Sequence, residues 1–260
     1  MARAMLVKAV AVVAILLEAR LLSGAALAVA VTLTVAALCG FLAWVIVAPS
    51  AQFLVPSVCA LPEGAKRIAF TFDDGPDPVT TPRILALLAE HDARATFFVV
   101  GSRAEAHPEL VERIVREGHA VGSHTFTHSH AFHFGSPSKQ RADVQHGIDV
   151  VTKITGSAPR LFRPPQGLRT PLLRDALASM KELVCVTWTE RGLDAMGRPA
   201  SKIVTRLAPE VRAGAILTLH DGAGLGGSLD RSPTVDALAE LLPLARERGL
   251  ACVSLAEVAS

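Results

Sequence analysis

At 260 residues the chain is long enough for one full-sized α/β domain and a short extra segment. Half of its residues are hydrophobic, and its formal net charge of +2 is carried by the first 50 residues, where Arg3, Lys8 and Arg20 stand against Glu18. The balanced remainder offers no basic footprint for nucleic acid. Cys39, Cys59, Cys185 and Cys252 form no CxxC pair, which excludes a disulfide framework and a thiolate zinc site. One Cys185–Cys252 bridge is conceivable, but two buried thiols are the expectation.

The first elements are apolar. Residues 21–49 contain no charged side chain, and about 20 apolar residues suffice to cross the hydrocarbon core. A shorter run, Ala9 to Leu17, lies between Lys8 and Glu18 and reads as a signal-like region, an interfacial helix or a first span. Small-residue triplets such as Ala26-Leu27-Ala28 fit a cleaved signal peptide. The run continues to Ala48, however, well past a normal signal core, and so favours a retained anchor. Positive residues beside a span stay in the cytoplasm. With Arg20 inside, the chain emerges outside at residue 51, whether it crosses once or twice. Only a hairpin with Arg20 outside would leave the domain in the cytoplasm. The expected division is a membrane anchor of one or two helices over 1–50, a linker over 51–65 and a globular domain over 66–260.

From Arg67 onward, short apolar strands alternate with helical patterns. Residues 68–72 read as a buried strand, 81–91 as a helix, 95–100 as a strand, 108–117 as a helix opened by Pro108 and stopped by Gly118, and 120–123 as a third strand. The pattern then predicts a helix over 138–155, a brief strand over 161–163, a helix over 172–180 and a strand over 183–188. A helix over 201–212, a strand over 215–219, a helix over 234–248 and a final strand over 251–255 complete it. Seven strands alternating with helices over short links imply a mostly parallel α/β barrel or open sheet.

Polar groups fall where these strands end. In a parallel barrel the carboxyl ends share one rim, so the groups should converge there. Asp73 and Asp74 end the first strand before Gly75-Pro76. Successive strand residues face opposite ways, so one carboxylate can ligate a metal while the other accepts a proton. Read alone, the pair fits an Asx-type turn before the helix start at Thr80–Pro82 better than it fits a site. His124 and His128 are spaced i, i+4 on a loop expected to be helical, so both imidazoles can address one cation together with an aspartate. Zinc suits that donor set, with cobalt and manganese as the other candidates. His130 and His133 read as loop residues near substrate. Arg163, in a stiff Pro-Pro context, suits holding a carboxylate. Asp194 is either its partner or the group that steers His220. His220, after the apolar run 215–219, is the natural acid for a leaving amine.

Thr71-Phe72-Asp73-Asp74-Gly75-Pro76, His124-Thr125-Phe126-Thr127-His128, Arg163-Pro164-Pro165-Gln166-Gly167, Trp188 through Asp194, and Leu219-His220 resemble, in order and spacing, the motifs of the polysaccharide deacetylases. These are the NodB-homology proteins of carbohydrate esterase family 4. The resemblance covers about residues 66–258 and includes Asp230-Arg231-Ser232-Pro233-Thr234. It implies a distorted (β/α) barrel and hydrolysis of N-acetyl groups from glycans such as chitin oligomers or peptidoglycan.

By position in those motifs, Asp73 is the general base, Asp74, His124 and His128 the metal ligands, and His220 the general acid. Arg163 orients Asp73, and Asp194 tunes the acid side. A backbone N–H near Pro165-Gln166 would hold the oxyanion. Trp188 and the phenylalanines are left as sugar platforms in a chain without tyrosine, and Leu217 and Leu219 are candidates to line an acetyl-methyl pocket. Two departures bear on substrate: Gln166 stands where the family often has an aromatic residue, and Ala195 where it often has tryptophan. The alternatives are a deacylase or deformylase of a lipid-linked sugar, which the anchor would favour, and an inactive glycan-binding relative. The expected setting is the cell membrane, with the catalytic domain on the periplasmic or extracellular side.

Overall fold

A computed structural model describes residues 2–62, 64, 66–223 and 230–258; the remaining positions of the expected linker and domain lie outside the described residues. The N-terminus is a helical hairpin. Helices α1 (Ala2–Leu21) and α2 (Gly24–Val47) are separated by only Leu22 and Ser23 and pack on each other. Val7, Ala11, Ala14, Ile15 and Glu18 form the sheltered face of α1, opposite Leu27, Val31, Thr34 and Leu38 of α2. The Thr34 hydroxyl donates to Glu18 Oε1 at 2.6 Å. Among the described residues α2 is the one helix long and apolar enough to cross a membrane.

The strands of the globular domain are β1 (Arg67–Asp73), β2 (Ala95–Val99), β3 (Ala120–Ser123), β4 (Leu161–Phe162), β5 (Val184–Cys185), β6 (Glu190–Arg191), β7 (Ile216–His220) and β8 (Ala251–Cys252). All pair in parallel, in the order β5-β4-β3-β2-β1-β7-β6, with β8 against the start of β1. The sheet curls until its ends nearly meet, because β5 and β6 are joined by four residues. The chain leaves β4 at Val186 and reaches β7 by Thr189, whose amide donates to the Ile216 carbonyl. The single strand expected over 183–188 is therefore split between the two ends of the sheet.

Helices α3 (Thr80–Glu90), α4 (Gly101–Ala106), α5 (Pro108–Arg116), α6 (Pro137–Thr155), α7 (Pro171–Leu177), α8 (Ala200–Leu207) and α9 (Ser232–Glu247) complete the domain. Local chemistry explains most boundaries. The Ser136 hydroxyl caps α6 through the Lys139 amide, and Gly156 closes it in the left-handed region at φ 73°. The Thr170 hydroxyl caps α7 through the Leu173 amide. Helix α8 stops short of the expected residue 212 because Pro209 lacks an N–H, and the chain tightens into a 3-10 turn over Ala208–Glu210. The six-residue α4 is too short for its periodicity to show in the sequence. The final strand ends at Cys252 rather than residue 255, in a 3-10 turn.

The main core lies between sheet and helices, built from Phe70, Phe72 and Phe97 on the strands and Leu85, Leu88, Leu238 and Leu241 on the helices. A smaller core inside the curl contains Ala69, Phe98, Leu161, Val186 and Ile216. A third cluster unites the end of α2 with the barrel: Val45 packs with Phe132, Val144, Phe162, Leu173 and Cys185. Burying one such side chain is worth about 1.5–3 kcal/mol.

The segment expected as a linker is therefore no free tether. Ala51, Leu54, Val55 and Leu61 are buried, Val58 bridges to Val186 and Ala60 to Ala215, which fills the gap between the sheet's ends. Four free cysteines, with Cys185 buried and Cys252 partly so, agree with unpaired thiols.

Candidate active site

Strand register builds the site. Asp73 lies opposite His220, and Thr71 opposite Thr218, across β1 and β7. The Asp73 face of β1 thus carries Thr71 one layer below, and the His220 face of β7 carries Thr218; their hydroxyls are 3.1 Å apart. Arg163, one residue past β4, enters the same layer fully buried. Its Nη1 donates to Asp73 Oδ1 at 2.7 Å and to Thr71 Oγ1 at 2.8 Å, and its Nη2 donates to the Thr187 carbonyl at 2.8 Å. The Phe98 ring covers the guanidinium face at 4.1 Å. Burial works against the guanidinium charge and lowers its pKa, while Asp73 supports it. Such a pair is strongly destabilised when one partner is removed, by about 3–5 kcal/mol.

Asp74 turns away from Asp73 because its φ is 72°. Its Oδ1 is buried without a hydrogen bond, 3.2 Å from His128 Nε2 and 3.6 Å from His124 Nε2. His124 Nδ1 donates to the Arg163 carbonyl at 2.6 Å, which leaves Nε2 as the free lone pair. Burial, then the neighbouring His128, lowers the His124 pKa to about 3, so the imidazole stays neutral as a ligand must. The loop 124–128 is not helical as expected. Thr125 and His128 have φ of 66° and 49°, and the Thr125 hydroxyl accepts the His128 amide at 3.0 Å. A hairpin-like turn, not a helical one, brings the rings to 4.8 Å between centroids.

These three side chains fit a divalent ion. Their donor atoms all lie within 4.8 Å of one another, and tetrahedral zinc with oxygen and nitrogen ligands needs separations of about 3.3 Å. The Asp74 oxygen without a hydrogen bond faces both imidazoles and completes a donor set of one oxygen and two nitrogens.

His220 stands across from this group. Its Nδ1 donates to Asp194 Oδ1 at 2.8 Å and its amide to Oδ2 at 2.8 Å. The Thr234 hydroxyl also donates to Oδ2, and buried Arg231 holds the Asp194 carbonyl. Burial opposes charge on His220, but Asp194, by charge and hydrogen bond, with Asp74 and Asp73 behind it, pushes the imidazole up to about 9. Burial likewise opposes the Asp194 carboxylate, and His220, Thr234 and Arg231 outweigh it and hold its pKa below the usual range. Asp194 therefore steers His220, and the partner of Arg163 is Asp73.

The turn after β4 carries Gln166 at φ 53°. Buried His133 braces it, Nε2 to the Pro165 carbonyl at 2.8 Å, so this histidine is a structural prop, whereas His130 is exposed. Gly167 lies against Trp188, where a Cβ would fall 2.1 Å from the ring. Trp188 is buried, with the Arg163 and Arg191 guanidinium carbons 5.7 and 5.5 Å from its ring centroid, and so offers no open platform for a sugar. Leu217 and Leu219 do not line a pocket. They have the opposite parity to His220 and are buried in the core between sheet and helices. Thr218 occupies the inward position instead. The sequence assigns no role to Thr71, Arg231 and Thr234, which lie within the quoted motifs, or to Thr218; strand parity counted from Asp73 and His220 finds Thr71 and Thr218. Five of the six non-glycine residues at positive φ among those described are Asp74, Thr125, His128, Gln166 and Leu193, each in or beside the site. Backbone strain concentrates where the reactive groups are aimed.

A parallel curled barrel gathers at one rim the Asp74, His124 and His128 cluster, Asp73 paired with Arg163, and His220 paired with Asp194, an arrangement that suits a hydrolase. Comparison with known proteins supports the same class. The family model described as polysaccharide deacetylase matches residues 60–182. A peptidoglycan-N-acetylglucosamine deacetylase of Bacillus cereus is 36% identical over 199 residues, covering 76% of this chain and 90% of its own. A chitooligosaccharide deacetylase of Sinorhizobium fredii is 35% identical over 198 residues, covering 74% and 91%. The solved structure of the peptidoglycan deacetylase PdaC from Bacillus subtilis superposes with a TM-score of 0.66 at 30% identity, covering 76% of this chain and 92% of that one. The chain belongs to the polysaccharide deacetylases, the NodB-homology family, and is a hydrolase of that class.

Proposed function

We propose that the protein is a membrane-anchored deacetylase that hydrolyses N-acetyl groups on an amino-sugar glycan of the peptidoglycan or chitin-oligomer type outside the cytoplasmic membrane. The observation that carries this reading is the pairing of two carboxylates on consecutive residues with opposite partners: Asp73 on Arg163 and Asp74 facing His124 and His128. Relatives named for action on peptidoglycan N-acetylglucosamine and chitooligosaccharides supply the substrate class.

A divalent ion held by Asp74, His124 and His128, zinc by preference, would supply Lewis-acid polarisation of the acetyl carbonyl and a more acidic water. Asp73, fixed by Arg163 and Thr71, takes the proton of the attacking water. The Gln166 backbone N–H is the candidate donor to the developing oxyanion. His220, charged at neutral pH and held by Asp194, gives its proton to the departing amine. Acetate and a free amino group are the products. The domain division follows from the same reading: the hairpin over 1–50 anchors, and the barrel with its closing segment catalyses. With Arg20 on the cytoplasmic side, α2 carries the chain outward and the barrel lies outside.

The test is acetate release by the full chain in detergent with added zinc, against chitin oligomers and peptidoglycan fragments. Release from either substrate is expected; metal-loaded protein that binds these glycans and frees no acetate would make it an inactive relative. One prediction concerns proton supply. Asp194→Asn removes the charge that raises His220, so the protonated imidazole is lost at lower pH. The alkaline limb of the rate profile should move to lower pH, and an unmoved limb would remove His220 as the acid.

A further inference from the structure

Exposed apolar side chains also gather at the end of the barrel that holds the candidate site. Outside the N-terminal hairpin, five large hydrophobic side chains are exposed among the described residues: Val79 at 67%, Val115 at 43%, Phe134 at 88%, Leu172 at 38% and Met196 at 70%. Four of them follow the carboxyl ends of strands. Val79 lies after β1, Phe134 after β3, Leu172 after β4 and Met196 after β6, two residues beyond Asp194. Val115 alone sits at the other end, where α5 leads into β3.

Helix α2 arrives at the same end. The groups that seat it come from segments beyond strand ends: Phe132 follows β3, while Leu173 and Arg169 follow β4. Arg169 is fully buried. Its guanidinium donates to the carbonyls of Ala48 and Ala51 and to the Ser57 hydroxyl, and its amide donates to the Ile46 carbonyl at 3.1 Å. A cation thus closes the carboxyl end of α2, where the helix dipole favours it. Phe134 and Leu172 flank this seat, two residues from Phe132 and one from Leu173. The exposed face of α2 ends on Trp44 and Val47, in the turn of the helix that docks on the barrel.

A helix of 24 residues is about 36 Å long, against a hydrocarbon core of about 30 Å. Its last turn is already docked on the barrel, so no spacer separates barrel from bilayer. Exposed apolar side chains at the end of the domain where an apolar span docks suit a surface that meets lipid, and an exposed tryptophan at a helix end is typical of the membrane interface.

We propose that the catalytic rim rests on the outer membrane surface, with Phe134, Leu172, Met196 and Val79 in the lipid interface. The mouth then takes an acetylated amino sugar presented by a lipid carrier at that surface. This rests on reading α2 as a membrane span and on the deacetylase reading above.

The contact is tested without turnover. The full chain is reconstituted in vesicles of phosphatidylcholine and phosphatidylglycerol with brominated acyl chains, as Phe134→Trp and as Val115→Trp, each compared with the parent that holds Trp44 and Trp188. The fluorescence added by Phe134→Trp should be quenched and that added by Val115→Trp should not. An unquenched Phe134→Trp, or equal quenching of both, overturns the proposal. Substrate delivery is tested with Phe134→Ser/Leu172→Ser. Acetate release from lipid-linked N-acetylglucosamine in vesicles should fall at least about tenfold, with release from soluble chitin oligomers unchanged. Equal effects on the two substrates, including none, overturn delivery from the membrane. A chain that is quenched as expected but frees no acetate from any glycan defeats the catalytic reading and leaves the membrane contact standing.

Discussion

Asp73→Asn should reduce acetate release by about 100- to 10,000-fold while leaving the bound metal in place, as expected for loss of a positioned base. The substitution is chosen for its geometry. Asparagine keeps an oxygen that can accept from Arg163 Nη1, now 2.7 Å from Asp73 Oδ1, so the buried guanidinium retains a neutral partner. Alanine would leave that charge bare and confound chemistry with unfolding. The amide has no basic lone pair at neutral pH, so the step lost is proton acceptance. Metal content and melting temperature measured on the same sample separate the effects. A variant that keeps its ion and still turns over near the parent rate would remove Asp73 from the role of base.

The second large effect belongs to the histidine pair. His128→Ala should lose its ion, with affinity falling by more than the roughly 10- to 100-fold typical of losing an outer partner of a ligand. His124→Ala should do the same and also release the Arg163 carbonyl, which His124 Nδ1 holds at 2.6 Å. The two variants therefore differ in a useful way. His128 sits on a left-handed turn at the rim, and its loss should leave the buried Arg163–Asp73 layer intact. Loss of His124 should loosen that layer and lower the melting temperature further. Metal analysis after dialysis reads the first effect and calorimetry the second. Zinc retained in both variants would discard the site.

Much of this centre was legible in the sequence because each reactive group ends an apolar strand. Asp73, His124, Arg163 and His220 each follow a run of strand-forming residues, and a parallel barrel has one place for all strand ends. The same rule could not say which way a loop turns. The i, i+4 spacing of His124 and His128 suggested a helical turn, yet the left-handed Thr125 and the Thr125–His128 hydrogen bond make the same approach by another route. Leu217 and Leu219 were misplaced by reading the strand as a list of apolar residues. Counting by twos from His220 puts Thr218 inward and both leucines against the helices.

The supporting groups were hardest to see. Thr71 looks like a β-branched strand filler, and Arg231 lies far along the chain from the Asp194 carbonyl that it holds. The gap-filling segment at Val58 and Ala60 was hidden for a related reason, because isolated bridges leave no periodicity. Arg169 is an ordinary arginine in sequence, and only the arrival of α2 gives its burial a purpose.

One titration tests the metal centre most directly. Full-length protein stripped with a chelator and returned to zinc in steps should regain acetate release in proportion to metal, saturating at about one ion per chain, as a single three-ligand site requires. Full activity in stripped protein, or zinc uptake that restores none, would contradict a hydrolytic centre built on Asp74, His124 and His128.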